Sequence, residues 1–213
     1  MSSSRSKVEV GPEEARHYDL FMDAIFMGYY ARLIKKVVDK MDIHAGQSVL
    51  DMGSGTGRND CLIAGKIGPE GKILGLDISK VMLGLSQERC RQYPNVEFRQ
   101  QRIEMPLPFE EKFDKVFVSF VLHGFEDAEK LGIIGNAYRA LKPGGVFCIF
   151  DYNEFDLDKL WLPIRRAFLR GECQLASEFL TLDLKEMLTG QGFVRFEEEL
   201  FLRRHIRLLK AAK

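Results

Sequence analysis

Asp51, Gly53, Ser54, Gly55, Thr56 and Gly57 follow one another at the end of a short apolar run, and Asp77 closes the next such run. Glycines have no Cβ to block a tight turn or the close approach of a ligand, and the first N–H groups of a following helix can meet an anionic end. A carboxylate such as Asp51 beside that turn favours a ligand that also carries a cation. Asp77 stands 20 residues after Gly57, the distance at which a ribose-binding acid is expected. Together these residues describe a cradle for a nucleoside-like ligand at the carboxyl ends of parallel strands, where open α/β sheets bind ligands.

A nicotinamide dinucleotide is the obvious competitor, and the glycine pattern argues against it. Its fingerprint is GxGxxG, yet the third glycine position is Arg58 counting from Gly53 and Asp60 counting from Gly55. A tight strand-to-helix connection with no ligand is the plain structural alternative. The acid before the glycines, the glycines themselves and the acid ending the next strand make that alternative the weaker one.

The elements that must position these residues can be read from periodicity. Apolar residues at Leu20, Phe21, Ile25, Phe26, Tyr29, Leu33, Ile34, Val37 and Val38 within 13–41 recur with helical spacing. Short apolar runs at 48–52, 72–76, 96–100, 115–120 and 146–151 read as buried parallel strands, the last preceded by a KPGG turn at 142–145. Helices are expected over 58–67, 79–92 with Ser79 as N-cap, 127–141 and 183–189, and two β-like runs at 193–200 and 205–210 suit an antiparallel hairpin. This alternation predicts one α/β domain: a three-layer sandwich with a mostly parallel seven-stranded sheet. Its parts are a flexible 1–12, an N-terminal helical cap over 13–45, a ligand-binding core over 46–151, an acceptor-side lid over 152–182, and a C-terminal helix and hairpin over 183–213.

Composition narrows the function classes. With 31 basic and 31 acidic residues in 213, no net charge recruits nucleic acid, and no stretch approaches the roughly 20 apolar residues that span a bilayer. Cys61, Cys90, Cys148 and Cys173 form no CxxC pair, so neither a zinc cluster nor a disulfide framework is suggested, no metal is expected, and a reducing cytoplasm fits.

VLDMGSGTG at 49–57 resembles the first motif of class I S-adenosylmethionine-dependent methyltransferases. GLDIS at 75–79 is similar to the second-strand motif, PLPFEEKFDKVFVSFVLHGFED at 106–127 to the fourth-strand region, and YRALKPGG at 138–145 to the turn before the fifth strand. Within that superfamily the chain most resembles the quinone-biosynthesis group typified by UbiE, whose N-terminal YD signature is similar to YDLFMD at 18–23. The resemblance implies S-adenosylmethionine as cofactor and S-adenosylhomocysteine as product. It places the methionyl part at Asp51 and Gly53 to Gly57, the ribose on Asp77, adenine between Ile78 and Met82, and Ser119 nearby. The group usually has an acid after the third strand for the adenine amino group, but Gln101, Arg102 and Ile103 stand there, and an arginine cannot accept a hydrogen bond.

A sulfonium donor is already activated, so positioning supplies much of the catalysis, and a base that shares a phenolic proton helps where a ring carbon is the acceptor. His123, after the fourth strand, and Asp151 and Tyr152, ending the fifth, are the catalytic candidates. Tyr18, Tyr29, Arg58, Asn153 and Trp161 are candidates for acceptor contacts. The expected acceptor is a small apolar molecule, a ring carbon of a demethylmenaquinol-like quinol. An N- or O-methyltransferase of lipid headgroups or metabolites, and a non-catalytic donor-binding scaffold, remain open. Arg203, Arg204, Arg207, Lys210 and Lys213 form a basic run suited to peripheral contact with anionic lipid, and a homodimer is compatible with the sequence.

Overall fold

The computed structural model describes residues 19–20, 22–23 and 28–213. Tyr18 and the segment 1–12 lie outside the described residues. Seven strands, β1 (Ser48–Met52), β2 (Lys72–Asp77), β3 (Val96–Gln100), β4 (Phe113–Ser119), β5 (Leu141–Tyr152), β6 (Arg195–Phe201) and β7 (Ile206–Ala212), form one sheet in the order β3-β2-β1-β4-β5-β7-β6. The first five are parallel, and β7 runs antiparallel between β5 and β6. The helices are α1 (Tyr30–Lys40), α2 (Arg58–Ile67), α3 (Lys80–Arg89), α4 (Asp127–Ala140), α5 (Leu162–Gly171), α6 (Gln174–Phe179) and α7 (Leu184–Gly190).

Strand side chains alternate between faces, and the two faces feed two cores. Leu50, Met52, Val116 and Val118 pack on one side with Ile133, Ile134 and Ala137 of α4. Val49, Phe117, Cys148 and Phe150 pack on the other with Leu33, Ile34, Val37 and Val38 of α1 and Ile63 and Ile67 of α2. Strands buried on both faces need apolar residues at nearly every position, which is why β1 and β4 read as continuous apolar runs. The chain leaves β1 toward β2 and β3, then returns past β1 to β4 and β5. The order reverses between β1 and β4, the switch point at whose carboxyl ends open α/β sheets bind ligands.

The fold class read from the sequence is the one observed. Two features differ in detail. The KPGG segment is a bulge inside β5 rather than a turn before it: the register with β4 jumps from Phe113 opposite Leu141 to Lys115 opposite Val146, with Gly144 at φ 76. Cys61 and Cys90, expected as unpaired thiols, form a disulfide linking α2 to the residue that ends α3. Sequence spacing hid this pair because 29 positions separate the two residues and only the packing of α2 beside α3 brings their Cα atoms to 5.4 Å.

Candidate active site

The glycine turn is fastened to β2 by two backbone bonds, Gly53 N–H and Ser54 N–H both donating to the Leu76 carbonyl at 2.8 and 2.9 Å. Gly53 has φ 94, and a Cβ there would lie 2.6 Å from Val121 Cγ2; at Gly57, φ 73, it would lie 2.8 Å from Ser86 Cβ. Gly55 instead faces open space, with nothing within 4 Å of where a Cβ would stand. The Asp77 carboxylate reaches into this turn: Oδ2 accepts from Gly55 N–H at 2.9 Å and Oδ1 from Ser79 N–H at 2.8 Å. Burial raises its pKa, opposed by those backbone donors. Ser79 caps α3 through Met82 N–H, so Ile78 and Met82 are fixed beside Asp77 by the same few residues.

Beneath the turn are two carboxyls, Asp51 at the end of β1 and Asp60 in the first turn of α2, both wholly inaccessible to solvent. Neither accepts from any donor group among the described residues, and Ser54 Oγ is equally unpartnered. Burial first, and the adjacent Asp60 next, raise Asp51 well above the ordinary carboxylate range; burial pushes Asp60 up to about 7. Burial without a donor favours the protonated form of both carboxyls.

Over the turn lies a set of ion pairs to the N-terminal segment. Thr56 Oγ1 donates to Asp19 at 2.9 Å, Arg58 pairs with Asp23 at 3.0 Å, and Arg89 reaches both Asp19 and Thr56. Arg58 also stacks on Tyr30, its guanidinium carbon 5.2 Å from the ring centre.

Across the switch point, His123 lies in a short 3₁₀ turn (Leu122–Gly124) after β4, and Asp151 lies near the end of β5. His123 Nδ1 is 2.7 Å from Asp151 Oδ1, and Nε2 is 3.6 Å from Glu172 Oε2. Tyr152 O–H donates to the other Glu172 oxygen at 2.7 Å. Burial works against charge on His123, but Asp151 above all, with Glu172, outweighs it and raises the pKa. Tyr152 and Phe179 stand at 5.1 and 6.4 Å from the imidazole, between ring centres.

The structure thus gathers Asp51, Gly53, Ser54, Gly55, Thr56, Gly57, Asp77, Ile78 and Met82 at one side of the switch point, and His123, Asp151 and Tyr152 at the other. Ser119 ends β4 between them, buried. Gln101 N–H bonds the Asp77 carbonyl at 3.0 Å, Arg102 pairs with Glu104, and Ile103 is buried in the main core. Other expected contact residues are engaged elsewhere. Asn153 Nδ2 donates to the Arg204 carbonyl, the Tyr29 hydroxyl accepts from Lys36, and Trp161 is 72% exposed just before α5. In the basic C-terminal run, Arg207 pairs with Glu154 and Glu198, Lys210 with Asp42 and Glu197, and Lys213 with Glu111. Only Arg203 and Arg204 of that run stay exposed and without an ion pair among the described residues, so the run is not the continuous cationic strip its sequence suggests.

Two residues escaped the sequence reading. Asp60 shares its helix face with Ile63, Ala64 and Ile67, all buried, so an acid in the apolar stripe was the available signal. Glu172, at the end of α5, carried no such signal; only the folding of 162–179 over β5 brings it to His123.

A family model described as a methyltransferase domain matches residues 43–187. The chain belongs to the methyltransferase domain family. This methyltransferase is 29% identical over 172 residues to the demethylmenaquinone methyltransferase of Listeria welshimeri, covering 79% of this chain and 71% of that one. It is 31% identical over 144 residues to the Escherichia coli ubiquinone/menaquinone biosynthesis C-methyltransferase UbiE, covering 66% and 56% of the two chains. A crystal structure of a SAM-dependent methyltransferase from Aquifex aeolicus shares the fold, with a TM-score of 0.67 at 19% identity over 96% of this chain and 99% of that one. The protein is an enzyme that transfers methyl groups.

Proposed function

We propose that this methyltransferase methylates a ring carbon of a small apolar hydroquinone of the demethylmenaquinol type. The donor half of the reading assigns the methionyl end to Asp51 and Gly53 to Gly57, the ribose to Asp77, and the adenine to Ile78, Met82 and the 101–103 segment, with Ser119 near the transferred methyl. The residues fit such a group. Gly55 leaves open space at the turn. The unpartnered oxygens of Asp51, Asp60 and Ser54 supply buried negative charge and acceptors that a cationic, N–H-bearing ligand satisfies. When bound, S-adenosylmethionine supplies an electrophilic methyl group on a sulfonium.

The acceptor half rests on one observation, the 2.7 Å contact of buried His123 Nδ1 with Asp151. That contact fixes the tautomer with hydrogen on Nδ1 and leaves Nε2 as the proton acceptor. Taking a proton from a ring hydroxyl raises the electron density at the neighbouring ring carbon, which is the nucleophile the reaction needs. The imidazolium so formed is held by Asp151 and Glu172, and Tyr152, with its hydroxyl on Glu172, helps keep that carboxylate in place. Tyr152, Phe168 and Phe179 give the site aromatic walls suited to a flat apolar ring. The names carried by the Listeria and Escherichia relatives support the same acceptor class. Incubation with isotopically labelled donor and reduced demethylmenaquinone, phenols or phosphoethanolamine, followed by mass analysis, tests the reading. Label on a ring carbon is expected; label on oxygen or nitrogen, or no turnover of the quinol, overturns it.

A further inference from the structure

No residue of α5 is buried, although its sequence, LPIRRAFLRG, is half apolar. Leu162, Ile164 and Leu169 are 52%, 53% and 48% exposed, and Trp161, which precedes the helix, is 72% exposed. Phe168 turns inward, its ring 5.2 Å from Tyr152 and 6.4 Å from Phe155. Phe155 also contacts His205 at 4.8 Å, and Asn153 bonds the carbonyl of Arg204. These contacts tie α5 to the tip of the β6–β7 hairpin, where Leu202 is 41% exposed. The two segments therefore form one apolar rim next to the mouth of the His123 site.

The unmatched charge on this rim is positive. Helix α5 carries Arg165, Arg166 and Arg170 and no acid, and the hairpin tip adds Arg203 and Arg204. The nearby acids are already matched, Asp158 by Arg165 at 2.7 Å and Asp156 by Lys159 at 3.5 Å. Arg166, Arg170, Arg203 and Arg204 are exposed and form no ion pair among the described residues. An exposed helix joining apolar side chains, a tryptophan and unmatched arginines has the composition of one that lies in the plane of a bilayer interface. A chain of zero net charge is not drawn there by its overall field, so the attraction must come from this local set.

We propose that α5 and the β6–β7 tip dock this protein on an anionic lipid surface, with Trp161, Leu162 and Leu169 entering the acyl boundary and Arg166, Arg170, Arg203 and Arg204 meeting the headgroups. Such docking sets the mouth beside Tyr152 and His123 against the membrane, so an apolar acceptor enters from lipid without crossing water. The inference stands apart from the acceptor reading, because docking is measured with no acceptor present.

Trp161 is the only tryptophan of the chain, so its emission reports this helix directly. With phosphatidylcholine vesicles containing phosphatidylglycerol at low salt, the emission should shift to the blue and the protein should float with the vesicles. Phosphatidylcholine alone should produce neither change. Arg166→Glu/Arg170→Glu and Leu162→Glu/Leu169→Glu should each lower vesicle partition at least about tenfold, while the donor-binding affinity stays that of the parent. An unchanged emission with anionic vesicles, or partition unaltered in both double variants, overturns the proposal. So does a concentration-dependent blue shift without lipid, which would assign the face to a second copy of the chain.

Discussion

Replacing Asp60 by asparagine stabilises the donor-free protein at alkaline pH and changes little in acid. The wild-type carboxyl is fully buried, has no donor group beside it and titrates at about 7, against 3.8 for an unperturbed aspartate. The sign follows from proton counting. Between those two values the folded chain keeps a proton that the unfolded chain has released, so stability falls as pH rises through the window. Below about pH 4 both states are protonated, and the term vanishes. At about 1.4 kcal/mol per pKa unit, the accumulated loss by pH 8 is on the order of 4 kcal/mol. Asparagine cannot ionise, so the variant escapes that loss. Urea unfolding at pH 4.5, 6 and 8 without donor measures the difference. Wild type and variant should converge in acid and separate by several kcal/mol at pH 8, with the variant the more stable. Parallel curves across the pH range would refute the raised titration of buried Asp60.

Other perturbations follow from the same geometry. Gly57→Ala forces a left-handed residue with φ 73 to carry a Cβ 2.8 Å from Ser86, and should cost about 3 kcal/mol in denaturant unfolding. Because Asp151 and Glu172 raise the His123 pKa against the effect of burial, the acid limb of kcat/KM against pH should lie above 6.5, the value for an unperturbed histidine. Asp151→Asn should move that limb downward and reduce kcat at least about tenfold, whereas a limb unmoved by the substitution would remove His123 as the base. The Cys61–Cys90 bridge should leave these two thiols unalkylated in denatured, unreduced protein. Its reduction should destabilise the fold by about 3.6 kcal/mol in urea, from the roughly 30-residue loop it closes.

The glycine turn and Asp77 were legible as a unit because they are local. Asp51, the glycines and Asp77 sit at strand ends that hydrophobic runs mark, and a strand followed by glycine and a helix admits few geometries. The parallel strands were legible for the same reason: Val49, Leu50 and Met52 are apolar because both faces of β1 are covered. The acceptor side depends on distant segments. His123 and Asp151 are 28 positions apart, and Glu172 reaches them only because α5 and α6 fold back over β5. No period announces α5, whose apolar residues face outward instead of marking an inner stripe. The disulfide is likewise a product of packing between elements whose own patterns say nothing of their neighbours.

The central claim is that the turn after β1 and the carboxylate of Asp77 together hold the donor. Calorimetric titration of S-adenosylhomocysteine into wild type and Asp77→Asn tests it most directly. The account predicts saturable one-to-one binding to wild type and at least about a tenfold weaker affinity in the variant, because a ribose diol loses a charged bidentate acceptor. Equal affinity in both proteins, or no binding to wild type, would contradict it.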